Sequence, residues 1–279
     1  MLPSGELACG GGWPFYNIFT RNDYTIRILD PTTGTTVREL AGHTDCVWSL
    51  VVLSTGELAS GSGDKTIKIW NTKSGRLVRT LQGHTGSIRQ LASLFEGLLA
   101  SASWDSSIRI WNVASGQSVD ILTGGGGEVY SLAVLRDANL ASGSQDGTIR
   151  VWNLMNAQVR MTLTGHTGYV RSLALLPSGD LASGSSDKTI RIWDLQSGQT
   201  KRELKGHEYR VNDLLVLPGG RLASASRDDV IRIWNPETGQ VLHKLKGHAG
   251  TVWAMVMLPS GELASGSSDK TVRVWSPER

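Results

Sequence analysis

Cysteine is nearly absent: Cys9 and Cys46 are the only two in 279 residues. Two thiols so placed exclude a disulfide-framed secreted scaffold and offer no metal-ligand spacing. Long apolar runs are missing too. Ser49-Leu50-Val51-Val52-Leu53 is a typical one, far short of the ~18 residues that cross a bilayer. The start, Met1-Leu2-Pro3-Ser4-Gly5-Glu6, has neither the basic nor the apolar region of a secretory signal. Charge of one sign is scarce: 28 Lys and Arg against 25 Asp and Glu leave +3, which calls for no nucleic-acid partner. The expectation is a soluble intracellular protein of a reducing compartment, cytoplasmic with the nucleus open, without membrane, metal or cofactor. Aromatics make only 6 % of the chain, yet Trp supplies 10 of them against Tyr 5 and Phe 3. So strong a skew points to one role repeated many times.

Repetition is what the chain has in abundance. Tryptophan falls at 70, 111, 152, 193, 234 and 275, every gap being 41. Gly-His falls at 42–43, 83–84, 165–166, 206–207 and 247–248, with Gly124-Gly125 in the remaining slot. Asp keeps step at 64, 105, 146, 187, 228 and 269. Within one unit, Val170-Arg171-Ser172-Leu173-Ala174-Leu175-Leu176 reads as a strand ended by Pro177-Ser178-Gly179. Two more runs follow, 180–184 and 189–193, parted by a turn around Ser186-Asp187-Lys188, and a polar fourth run covers 200–204. Turn signals at ~8–12-residue spacing without helical period predict all-β structure, and a four-stranded unit of ~40–45 residues predicts a propeller blade.

On these Gly-His, Asp and Trp marks the chain resembles the WD-repeat β-propellers from residue 23 to 276, although among the repeat-slot tryptophans only Trp193 is followed by Asp, at Asp194. The resemblance implies a single domain over 1–279: six regular repeats over 42–279 and a degenerate first blade over 1–41. In that first blade Asp23 keeps register and Leu29 replaces the Trp. The alternative is six blades, with residues 36–40 completing the last one and residues 1–30 left over. Residues 1–22 fit the repeat poorly, although 1–8 reads MLPSGELA, identical to 257–264. Trp13, Pro14, Phe15 and Phe19 there suggest a contact surface.

His, Ser and Asp in every unit invite a hydrolase reading. The resemblance instead implies structural sets that link a loop to two strands: His43/Ser60/Asp64/Trp70, His84/Ser101/Asp105/Trp111 and His166/Ser183/Asp187/Trp193. His207/Ser224/Asp228/Trp234 and His248/Ser265/Asp269/Trp275 complete them. Repeating a staple is sensible; repeating an active site five times is not, so no catalytic residue is expected. The only unusual carboxylates are Asp228-Asp229 and Glu128. Arg27, Lys68, Arg109, Arg150, Arg191, Arg232 and Arg273 share one slot two before the Trp slot, one per blade, and make no basic patch.

Near-identical repeats supply an internal control, because positions that vary between constant neighbours are free to serve a partner. One set precedes the Val or Ile opening each unit: Cys46, Ser87, Glu128, Tyr169, Arg210, Thr251. Another follows it: Trp48, Arg89, Tyr130, Arg171, Asn212, Trp253. A third precedes the turn Asp: Gly63, Trp104, Gln145, Ser186, Arg227, Ser268. The resemblance places these on one rim of the central channel. Trp48, Arg89, Trp104, Tyr130, Tyr169, Arg171, Arg210, Arg227 and Trp253 are therefore the candidate partner-binding residues, of the types enriched in hot spots. They suit an acidic or phosphorylated peptide; a methyl-lysine cage is a second use of the same rings. The expected function is a noncatalytic scaffold or adaptor, a monomeric propeller within a larger assembly, that docks a protein or peptide. A structural oligomer-former is the chief alternative, and a propeller enzyme the weaker one.

Overall fold

The computed structural model describes residues 1–10, 23–124, 126–136 and 138–276. Trp13, Pro14, Phe15, Phe19 and Gly125 thus lie outside the described residues. Among the described residues are 26 strands and one short 3-10 turn, Pro218–Gly220. The chain divides into two compact units, residues 1–132 and 133–279.

In the first unit, β1 (Leu7–Cys9), β2 (Ile26–Leu29) and β3 (Thr36–Leu40) form a three-stranded sheet. Four-stranded sheets follow: β4 (Val47–Val52), β5 (Leu58–Ser62), β6 (Ile67–Trp70), β7 (Leu77–Leu81), then β8 (Ile88–Ser93), β9 (Leu98–Ser103), β10 (Ser107–Asn112), β11 (Gln117–Thr123). The division between the units falls inside β12 (Val129–Val134), which shares a sheet with β13 (Asn139–Ser144), β14 (Ile149–Asn153) and β15 (Gln158–Leu163). In the second unit come β16 (Val170–Leu175), β17 (Leu181–Ser185), β18 (Ile190–Trp193), β19 (Thr200–Leu204) and β20 (Val211–Val216), β21 (Leu222–Ser226), β22 (Ile231–Trp234), β23 (Val241–Leu245). A three-stranded sheet of β24 (Val252–Met257), β25 (Leu263–Ser267) and β26 (Val272–Trp275) ends it.

Every sheet keeps its strands in chain order, so each is a meander of short hairpins. β3 pairs with β2, Ile26 opposite Leu40 and Ile28 opposite Arg38. Residues 36–40 therefore complete the first sheet and not the last. The fold is an all-β propeller of seven blades, the degenerate one first, and the six-blade alternative falls.

Apolar alternation puts the core between neighbouring sheets. Ile190, Ile192 and Leu204 of one sheet pack against Val211, Leu214 and Trp234 of the next. In the first unit Ile67, Ile69 and Leu81 meet Ile88, Leu91 and Trp111 in the same way. Burial of each such side chain contributes roughly 1.5–3 kcal/mol. The sheets approach so closely that a Cβ on Gly184 would lie 2.7 Å from Val211 Cγ1. Only Leu204 is buried on β19, which accounts for the polar Thr-Lys-Arg-Glu that precedes it. Among the described residues β26 has no fourth strand beside it, and its Val272 and Val274 are 46 % and 48 % exposed where Ile190 and Ile192 are 0 % and 3 %.

Candidate functional site

Five of the six regular units open on Gly-His. Gly165 has φ +156, and a Cβ there would meet Trp193 Cη2 at 3.2 Å, so the loop lies on the indole. His166 is thereby set down between Asp187 and Ser183, its Nδ1 2.7 Å from Asp187 Oδ2 and its Nε2 2.7 Å from Ser183 Oγ. Trp193 Nε1 donates to the same hydroxyl at 2.7 Å. The ionised carboxylate can only accept, so Nδ1 carries the proton and Nε2 accepts from the hydroxyl. The sets at His43, His84, His207 and His248 repeat this, with His–Asp distances of 2.7–2.9 Å. Their Ser–His distances are 2.6–2.7 Å, and their Trp Nε1 atoms donate to Ser60, Ser101, Ser224 and Ser265 at 2.8 Å.

Burial alone would raise the carboxyls of Asp64, Asp105, Asp187, Asp228 and Asp269. Hydrogen bonds from the histidine and from nearby amides and hydroxyls outweigh it and hold all five well below the usual carboxylate range. All five histidines and their serines are buried. Each of these serine hydroxyls is engaged by its His and its Trp. Glu128 accepts from the Tyr130 hydroxyl at 2.5 Å, and Asp228 is held by His207 and Arg232.

The slot arginine responds to whatever the turn Asp lacks. Asp23 has no His, Leu2 standing in that register, and Arg27 pairs with it at 2.5 Å. Asp146, whose unit has Gly125 in the His place, is paired by Arg150 at 3.1 Å. Asp228 keeps His207 but has Val230 where other units offer a Thr or Ser hydroxyl, and Arg232 fills in at 2.7 Å. Burial lowers the His207 imidazole below its usual range, with Arg232 pushing the same way and Asp228 opposing.

The three variable positions of each unit meet at one end of the sheet. The register shifts between Val47 and Ser49, Ile88 and Gln90, Val170 and Ser172, Val211 and Asp213, and Val252 and Ala254. Trp48, Arg89, Arg171, Asn212 and Trp253 are therefore bulge residues, and a bulge re-aims its side chain. The position before the turn Asp is tied to the same place through its amide: Trp104 donates to the Ser87 carbonyl, Ser186 to Tyr169 and Arg227 to Arg210.

In the first unit this gathers Trp48, Arg89, Trp104 and Tyr130. The Arg89 guanidinium lies 3.7 Å from the Trp48 ring centroid, 5.1 Å from Trp104 and 5.8 Å from Tyr130. Trp104 and Tyr130 meet edge to face at 6.1 Å. The rings that could cage a methylammonium already surround a cation of this chain. In the second unit the residues are Tyr169, Arg171, Arg210, Arg227 and Trp253. Arg210 lies 5.1 Å over Trp253, and Arg171 is 5.9 Å from Tyr169. Arg171 Nε donates to Ser186 Oγ at 2.6 Å, and Arg210 Nε to Asn212 Oδ1 at 3.2 Å. Burial pushes the Arg210 guanidinium down to about 10, with Arg171 and Arg227 adding repulsion.

Tyr209 belongs to this second group and was not anticipated. It is half exposed, with Arg227 5.8 Å and Lys188 6.0 Å from its ring. The signal was present one slot earlier than the positions compared: Asp45, Gly86, Gly127, Gly168, Tyr209 and Gly250 share it, and only one is large.

Among the described residues no helix is long and apolar enough to cross a membrane. Compared with curated proteins, the chain matches none. A family model described as WD domain, G-beta repeat matches residues 34–71, 75–112, 116–153, 157–194, 198–235 and 239–276. These segments take up most of the sequence and frame the same loops, sheets and tryptophans. The chain belongs to the WD40-repeat family.

Proposed function

We propose that this protein is a noncatalytic, intracellular interaction scaffold that docks an anionic peptide or protein loop on the aromatic and arginine side chains at and beside its strand bulges. Propellers of this family are in general noncatalytic scaffolds for protein partners, and the proposal adds the surface and the charge. One observation carries it. Arg210 and Arg227 are grouped with Arg171, and neither has a carboxylate partner among the described residues. Neighbouring cations favour an anion from outside. Trp253, Tyr169 and Tyr209 beside them offer rigid apolar contact. The His/Ser/Asp/Trp sets serve as staples in this reading, since their His, Ser and Asp side chains are hydrogen-bonded to one another.

The test is binding of short peptides, acidic, neutral and basic, to the wild type and to a variant combining Trp104→Ala, Arg171→Glu, Arg227→Glu and Trp253→Ala. Acidic peptides are expected to bind the wild type best and to lose at least about tenfold in the variant, with similar thermal melting for both proteins. Equal binding of neutral and acidic peptides, or full retention by the folded variant, overturns the reading. The exposed Val272 and Val274 edge of β26 favours a second reading, association through that strand.

A further inference from the structure

We infer that a groove in the second unit, between the sheet that ends in β15 and the sheet that ends in β19, binds a small carboxylate with a short apolar body, of the kind of a medium-chain aliphatic acid. Its volume is about 440 Å³, within the ~300–1,000 Å³ usual for small-molecule sites. Leu175 lines it at the end of β16, and the bulge of β16 lies at the other end, beside Val170. The site is therefore separate from the docking residues described above.

The floor is apolar, and one residue makes it so. Leu135 and Val151 are buried there, and Met161, Leu175 and Leu195 are half-buried against the same core. The slot of Met161 on the outer strand holds Arg38, Arg79 and Arg202 in other sheets. Arg38 and Arg79 reach the next sheet, donating to the Thr72 carbonyl at 2.9 Å and the Ser115 carbonyl at 3.1 Å. Met161 takes the same course: a Cβ on Gly198 would meet its sulfur at 3.4 Å, as one on Gly116 would meet Arg79 Cδ at 2.9 Å. It ends in a thioether, however, and leaves that wall without a donor. The corresponding groove of the first unit, about 540 Å³, shows the contrast, because Arg38 lines it beside Glu6 and Glu57 and its one apolar lining residue is Pro3.

The mouth is basic through departures from the repeat that fall together here. Outer strands carry Val37, Val78, Val119 and Leu242 in one slot, and only β15 and β19, which border the groove, carry a cation there, Arg160 and Lys201. Arg136 likewise stands where other units have Ser54, Phe95, Pro177, Pro218 and Pro259. Lys201 is already matched, lying 2.8 Å from Asp180 and 4.0 Å from Asp194. Arg136 is held in place, its Nη2 donating to the Pro177 carbonyl at 3.3 Å, and neither it nor Arg160 has an ion pair among the described residues. Guanidinium forks above an apolar floor fit a single carboxylate on a hydrocarbon body. A peptide chain fits less well, because its backbone donors and acceptors would find no partners on that floor.

The experiment titrates octanoate, hexanoate, octylammonium and octanol into the full chain by calorimetry. In parallel, the methyl signals of ¹³C-labelled methionines locate the ligand, with Met155, 79 % exposed and outside the groove lining, as internal reference. Octanoate is expected to move the Met161 signal and not that of Met155. It should bind at least about threefold tighter than hexanoate, and at least about fivefold tighter than octylammonium or octanol. Arg136→Gln combined with Arg160→Gln should weaken octanoate at least about fivefold. Met161→Arg copies what other sheets carry in this slot, so it should melt like the wild type and bind no octanoate. The variant of the four docking residues should keep full octanoate affinity, so the two readings fail separately. A still Met161 signal at millimolar octanoate overturns the site, as does equal binding of octanol or octylammonium. Full affinity in the Gln pair or in a folded Met161→Arg variant overturns it too, as does loss of octanoate in the docking variant. If Met161→Arg melts lower, the Gln pair, both members exposed, decides alone.

Discussion

At the residue scale, one hydroxyl carries the load of each staple. Ser183 Oγ receives the Trp193 indole N–H and faces His166 Nε2, whereas Ser142 Oγ receives only the Trp152 N–H at 2.8 Å, since Gly125 holds the His place. Removing a hydroxyl leaves its partners buried and unpaired, at ~1–3 kcal/mol each. Ser183→Ala should therefore lose about 2–4 kcal/mol in chemical denaturation, and Ser142→Ala roughly half as much. Equal losses would mean that the His contact contributes nothing. The Trp, His, Asp and Ser slots stood out in the sequence because buried hydrogen-bonding groups are costly to replace, so they recur at most periods. The arginine that swings to Asp23, Asp146 or Asp228 was not legible as a partner. Its slot holds a cation in every unit, and only the missing His or Thr around each Asp shows what the guanidinium does.

At the element scale, the fourth strand of a blade does two things: it takes the open hydrogen bonds of the third and covers its apolar face. β18 has β19 beside it, Ile190 opposite Leu204 and Ile192 opposite Arg202. Among the described residues β26 pairs only with β25, and Val272 and Val274 are about half exposed. Amide hydrogen exchange should then be faster over Val272–Trp275 than over Ile190–Trp193, as expected of a strand with an uncovered edge. If the edge also pairs between copies, light scattering will show a mass that rises with concentration, and Val274→Lys will abolish the rise. A constant monomer mass removes the second reading given above. Strand order and turns followed from periodicity alone. The links between neighbouring first strands did not: Ser49 Oγ accepts from the Leu91 amide, Gln90 Oε1 from Leu132 and Ser172 Oγ from Leu214. These side chains differ in type, so repetition could not mark them, and only their shared place before the next sheet reveals the function. The bulges that aim Trp48, Arg89 and Trp253 were invisible for a related reason, because a bulge is a property of pairing and not of residue type.

For the whole molecule, buried carboxylates set opposed pH dependences. Asp213, in β20, is the acidic member of that linking series: Oδ2 accepts the Met255 amide at 2.8 Å and Oδ1 the Ser172 hydroxyl at 3.2 Å. Burial pushes its carboxyl up to about 6, against hydrogen bonds that pull it down. A carboxyl raised in the folded state binds a proton there before it does so unfolded, so its ionisation costs stability above about pH 6 and the cost disappears below about pH 4. Asp213→Asn can keep the Met255 contact through its carbonyl and donate to Ser172 Oγ through its amide, at the loss of the acceptor that Oδ1 offers the Leu214 amide. It should be the more stable protein at pH 7, by about 1–2 kcal/mol once the partial exposure of Asp213 is allowed for, and lose that advantage towards pH 4. His207 works the other way, since its lowered imidazole costs stability as pH falls and the unfolded chain takes up the proton first. The difference between the two proteins cancels that contribution and isolates Asp213. The five staple aspartates act lower down. Each is held below the ordinary carboxylate range, so its contribution is complete above about pH 4 and is lost as pH falls further. Thermal melts of both proteins from pH 7 to pH 2 should therefore run apart at neutral pH, converge near pH 4 and then fall together. A constant gap at every pH would show that Asp213 is not the ionising group.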